Sequence, residues 1–182
     1  MLERALDLFW TKGYRDTKVR DLAQHVGVAN AGLYSAFKGK DGLFNKALDL
    51  YARRQVDALF GPMEADNAGK AELRRFFEAI AEGIEGGRFS RGCFVANTAV
   101  EIGSEESLLS ARIARIHDRE LAALRNAVRG AKRERDLPDD TDERAFAAML
   151  LTGFHGLSTL TRAGVDRSLL IASCRQYASL VS

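Results

Sequence analysis

Only two cysteines and two prolines occur among the 182 residues. Cys93 and Cys174 cannot supply a disulfide framework, and neither stands in a CxxC or in a Cys/His group with metal-ligand spacing, so no metal and no cofactor is expected. Pro62 and Pro138 fall between periodic segments, where a helix-rich chain keeps its prolines because the ring removes a backbone donor. No apolar run approaches the roughly 18 residues of a membrane span. Met1-Leu2-Glu3-Arg4 leads straight into an amphipathic pattern without a basic leader, so the expected location is cytoplasmic, with no membrane partner. Net charge is scarce as well: 27 basic against 25 acidic residues leave +2, so bulk charge makes no case for nucleic acid. Three histidines without an HExxH pattern, and no Ser/His/Asp, Cys/His, paired-carboxylate or phosphate-loop arrangement, argue against an enzyme, and no catalytic residue is named.

What the chain does have is helical periodicity almost throughout, in a composition of 46% apolar and 29% charged residues that suits a globular all-α protein. Leu2, Ala5, Leu6, Phe9 and Trp10 recur at helical spacing on one face, and Gly13 stops that helix. Thr17 is placed to cap a second helix whose inner face is Val19, Leu22, Ala23 and Val26, ending at Gly27. A third, over 29–37, turns Leu33 and Phe37 inward and closes at Gly39. The fourth is expected over 40–60. Beyond a polar linker at 64–69, helices are expected at about 70–85, 92–102, 105–135, 141–163 and 167–181, giving about nine in all. Their breaks fall at Gly86-Gly87, Gly103-Ser104, Leu137-Pro138 and Gly164.

Two short helices joined through Gly27-Val28 are what a helix-turn-helix requires: glycine permits a left-handed turn, Val28 fills the gap, and Ala23 lets the helices approach. The second helix of such a unit lies in the major groove, so its outward residues must be small or polar. Asn30, Ala31, Gly32, Ser35 and Ala36 meet that demand, and no acidic residue occurs from Val26 through Lys40. Residues 1–60 carry ten Lys/Arg against seven Asp/Glu, which makes this third of the chain mildly basic.

These residues resemble a known family. Gly13-Tyr14, Thr17, Val19-Arg20-Asp21-Leu22-Ala23, Gly27-Val28, Leu33-Tyr34, Phe37, Lys40-Asp41 and Leu43-Phe44 are similar to the DNA-binding signature of TetR-family repressors, over about residues 2–48. The resemblance implies a helix-turn-helix DNA-binding domain at 1–45 and a helical effector-binding and dimerisation domain at 46–182. It further implies a homodimer on a palindromic double-stranded operator, released when a small effector changes the separation of the reading heads. Carried over by position, Thr17, Lys18, Tyr34, Lys38 and Lys40 would touch phosphates, and Asn30, Ala31, Gly32 and Ser35 would face base edges. Ala29 stands where many members have a capping Ser or Thr, and the sequence starts within the first helix of the pattern, so the basic arm many members carry ahead of it is expected to lie outside these residues.

Past the fourth helix the residues are less specific. The stretch Gly92 to Glu101 is too apolar for a surface helix yet carries Phe94, Asn97, Thr98 and Glu101 on one stripe, and buried polar groups need partners. With Phe154 and His155 these six are the effector-binding candidates. His117, among Arg112, Arg115, Asp118, Arg119 and Glu120, sits in a pattern that reads as a solvated face and is expected to form no site. Broad apolar faces on the last two helices, Phe146, Met149, Leu150, Gly153, Leu157 and Leu160, then Leu170, Cys174, Tyr177, Ala178 and Val181, fit a four-helix contact between two copies. Two other readings stay open: a ligand-binding module without DNA binding, and a repressor that senses electrophiles or oxidants through the Cys93 thiol beside Arg91.

Overall fold

The computed structural model describes residues 1–103 and 107–180, and every regular element among them is a helix. In chain order these are α1 (Leu2–Lys12), α2 (Val19–Val26), α3 (Asn30–Phe37), α4 (Lys40–Tyr51), a π segment (Ala52–Val56), α5 (Asp57–Phe60), a 3-10 turn (Gly61–Glu64), α6 (Lys70–Glu85), α7 (Phe94–Ile102), α8 (Leu108–Arg133), α9 (Glu143–Arg162) and α10 (Arg167–Ser179). The helix expected over 40–60 is thus interrupted by a π turn, and Pro62 falls in the 3-10 turn that ends it. Ser104 of an expected break, the expected helix start at 105 and Val181 of the last apolar face lie outside the described residues.

The helices gather into two compact units, Met1–Gln55 with Phe94–Ala114, and Val56–Cys93 with Arg115–Ser182. The division at 55/56 falls inside the π segment. The first unit takes in more chain than the 1–45 read from the sequence, and its core shows why. Phe44 and Phe94, both almost wholly buried, lie 5.3 Å apart between ring centroids, and Phe9, Trp10 and Tyr51 complete the aromatic cluster around them. Burying such rings contributes on the order of 2 kcal/mol each, so α7 belongs with the N-terminal helices. Arg112, at the start of α8, pairs with Asp49 of α4 within the same unit.

The second unit is built around Phe60, Phe76, Phe89 and Phe154, with Leu73, Leu124, Val128 and Leu150 buried beside them. Its α9 begins at Asp142, whose carboxylate accepts the N–H groups of Arg144 and Ala145 and so satisfies two of the donors a helix start leaves open. Tyr177 of α10 stacks on Phe77 of α6 at 4.8 Å, and Gly153 of α9 leaves the space its ring occupies.

Candidate nucleic-acid interface

The turn between α2 and α3 forms as the glycine demands. Gly27 has φ 82°, in the left-handed region, and both Gly27 and Val28 donate their N–H to the carbonyl of Ala23 at 2.9 Å. Leu22, Ala23 and Val26 of α2 and Leu33 of α3 are buried and fix the two helices together. Behind them α4 starts close against the end of α3: a Cβ on Gly42 would stand 1.6 Å from the carbonyl oxygen of Phe37, so only glycine fits there.

On the opposite side of α3, Asn30, Ala31, Gly32, Tyr34, Ser35 and Ala36 are all exposed, Tyr34 to 57%. Phe37, expected to face the core, is half-buried. Lys18 and Lys38 are exposed at either end of the two-helix unit, Lys38 in a left-handed conformation at φ 60°. His25, near the turn, is exposed as well.

Thr17 departs from its expected roles. The second helix starts at Val19, with Lys18 in the capping position, and Thr17 is fully buried with its hydroxyl donating to the carbonyl of Gly13. That carbonyl lies just past the end of α1, and a buried hydroxyl must find an acceptor, so the side chain turns inward, away from any phosphate. Lys40 is also partly committed. Its ammonium donates to the Tyr14 carbonyl at 3.0 Å and sits 4.3 Å from the Tyr14 ring centre. The Tyr14 hydroxyl donates to Asp41 at 2.6 Å, and burial together with that carboxylate pushes the phenol up to about 12.

Of the six effector candidates, Phe94, Asn97, Thr98 and Glu101 belong to the first unit, Phe154 and His155 to the second. Thr98 and Glu101 have structural partners instead of offering themselves to a ligand. The Thr98 hydroxyl donates to the Phe94 carbonyl of its own helix at 2.8 Å. Glu101 accepts the backbone N–H groups of Tyr14 and Arg15, holding the loop after α1, and this role could not be read from spacing because its partners lie far back in the chain. Phe94 and Phe154 are core rings in their respective units, and Asn97 is half-buried. Neither a cavity of about 400 Å³ between α6 and α10 nor one of about 340 Å³ in the first unit is lined by any of the six.

Around His155 the sequence reading misses a cluster. Glu120, read as part of a solvated face, is fully buried, and His117 is half-buried against it. His155 Nε2 stands 3.3 Å from Glu120 Oε2, and the two imidazole rings are 5.1 Å apart. Burial alone would lower the His155 pKa, yet the Cys93 thiol and the Glu120 carboxylate outweigh it and push the ring up to about 9. At His117 burial prevails, and its pKa is lowered. The signal for this group, His and Glu three residues apart on α8, was in the sequence; the histidine facing them from α9 was not paired with them.

Met149, Leu160 and Leu169 stay exposed on α9 and α10, as does Leu180 just past the end of α10, while Leu150, Leu157, Leu170 and Cys174 turn inward. Among the described residues no helix is long and apolar enough to cross a membrane.

Comparison with known proteins agrees with this architecture. A family model described as bacterial regulatory proteins of the tetR family matches residues 1–47, and one described as a tetracyclin repressor-like C-terminal domain matches residues 69–176. The chain is 26% identical over 171 residues to the HTH-type transcriptional regulator YezE of Bacillus subtilis, covering 91% of this chain and 86% of that protein. It is 25% identical over 170 residues to the HTH-type transcriptional repressor ComR of Escherichia coli, covering 91% and 79%. The fold is shared with a cysteine mutant of the TetR-family regulator CifR in complex with 26 bp operator DNA, at a TM-score of 0.83 and 24% identity over 98% of this chain and 93% of that one. With the second family model alone covering more than half its length, the chain belongs to the TetR family of transcriptional regulators.

Proposed function

We propose that the protein is a repressor that binds a palindromic operator as a homodimer, reads it with α3 and releases it when a small effector acts on the second unit. The observation that carries this reading is the outer face of α3: a run of small and polar side chains left to solvent, free of carboxylates from Val26 through Lys40, on a helix pinned by buried Leu33. Lys18, Tyr34 and Lys38 are assigned to phosphates, with a partial share for Lys40; Asn30, Ala31, Gly32 and Ser35 are assigned to base edges. Met149, Leu160, Leu169 and Leu180 are assigned to the contact between copies, because exposed apolar side chains on adjacent helices favour burial against a twin. On the effector side, His155 keeps its assignment, since its half-buried ring stands among the polar groups of Glu120, His117 and Cys93 in the second unit.

Fluorescence anisotropy of a labelled operator duplex over a salt series tests the reading. Binding should weaken steeply with salt, and each lysine removed from a phosphate contact should flatten the log–log slope by about 1. Tyr34→Ala with Lys38→Ala should weaken binding to all duplexes alike while thermal stability is retained. Absent or salt-insensitive binding by the intact dimer refutes the proposal and leaves a ligand-binding module.

A further inference from the structure

We infer that the second unit holds a divalent transition-metal ion of the zinc and cobalt class, bound by His117 and Glu120 of α8 and His155 of α9. One ligand atom from each of the three residues can be chosen so that all lie within 4.8 Å of one another. The His155 Nε2 to Glu120 Oε2 separation of 3.3 Å equals the edge of a tetrahedron whose arms are about 2.0 Å, the length of zinc bonds to imidazole and carboxylate.

The hydrogen-bond accounting points to the same place. Glu120 Oε1 and Oε2, His117 Nε2, and His155 Nδ1 and Nε2 are all buried without a hydrogen bond. Buried polar atoms in folded proteins are satisfied almost without exception, and one such atom from each of the three residues lies close enough to the others to share a partner. The Glu120 side chain is only 1% exposed, and the one partner that reaches it is His155, at 3.3 Å. A fully buried carboxylate calls for a compensating positive charge; the neighbouring His155 imidazolium supplies it in the metal-free protein, and a divalent cation would take over that role by displacing the ring proton. Two imidazoles with one carboxylate select zinc, cobalt or nickel over magnesium or calcium, which prefer oxygen alone. A His and a Glu three residues apart on one helix, facing a ligand from a neighbouring helix, is how bundle cores hold metals. Three protein ligands leave a fourth position for water or a further donor, and the Cys93 thiol stands beside His155.

This inference rests on the effector-side reading of His155 alone and is independent of DNA binding. Its test uses the full-length protein without DNA: Zn2+ titrated against a chromophoric chelator, Co2+ followed by its visible absorption, and thermal unfolding with and without Zn2+. We expect one ion per chain, an intense four- or five-coordinate Co2+ spectrum and a Zn2+-induced rise in Tm. His117→Ala, His155→Ala and the near-isosteric Glu120→Gln should each weaken affinity at least tenfold, whereas His25→Ala, at the one remaining histidine, should leave it unchanged. If a substitution at the cluster prevents folding, the wild-type Tm shift, the Co2+ spectrum and the His25→Ala control still decide the matter. Millimolar affinity only, no Tm shift in the wild type, or loss of binding in His25→Ala overturns the proposal. Operator binding measured without added metal tests the repressor reading separately.

Discussion

Helices α3 and α7 are nearly the same length, both are rich in small residues, and both sit in the first unit, yet they treat their polar side chains in opposite ways. On α3, Asn30, Tyr34 and Ser35 face water. On α7, Thr98 is buried and bonded to its own helix, while Glu101 holds the loop that follows α1. A polar residue on a short helix is therefore not in itself a sign of a site. What separates the two cases is burial, since the Ser35 hydroxyl also donates to a carbonyl of its own helix, that of Gly32 at 3.1 Å, and yet stays exposed.

The contrast can be broken most forcefully at the aromatic core that packs α1 and α7 against α4. Phe44→Ala should lower unfolding stability by about 3–5 kcal/mol, read by chemical denaturation, and should abolish operator binding with it. Next, Glu101→Ala strands two backbone donors and should cost roughly 1–3 kcal/mol. If Glu101 were an effector ligand instead, stability would hold and only induction would fail. Asn30→Ala on α3 should leave stability within about 0.5 kcal/mol while relaxing discrimination at one base pair of the operator, measured by competition among duplexes.

The smallest effect is expected at the start of α9. Backbone N–H groups of Ala145 and Arg144 hold the Asp142 carboxyl below its ordinary value of 3.8. A carboxyl whose folded pKa lies below the unfolded one stabilises the fold above the unfolded value, and that contribution is lost as pH falls through the folded value. The Tm gap between wild type and Asp142→Ala should therefore be constant near neutrality and shrink once the pH drops below about 3.8. A gap unchanged down to pH 2 would mean that the carboxylate is not the cap.

The helix-turn-helix was legible because its determinants are local. Gly27, the inward Leu22, Ala23, Val26 and Leu33, and the carboxylate-free outer face all lie within some twenty residues, and a turn glycine carries its reason in the sequence. Thr17 was misread because two short-range bonds compete for its hydroxyl, the cap of α2 and the Gly13 carbonyl, and burial decided between them. The partners of Glu101, and His155 as the partner of Glu120, could not be read along the chain, since they are brought close only by packing. The charged residues around Glu120 made this stretch of α8 read as a solvated face, and a single buried carboxylate among them leaves no periodic trace.

Lys38 carries a consequence beyond its charge. It occupies a backbone conformation that costs an L-residue about 1 kcal/mol or more, at the edge of the face assigned to DNA. Glycine would relieve that tension and remove the cation at once, so Lys38→Gly should give a sturdier head with a weaker grip. An effort to make this regulator more heat-resistant by relaxing its strained positions would erode its hold on the operator at this residue first.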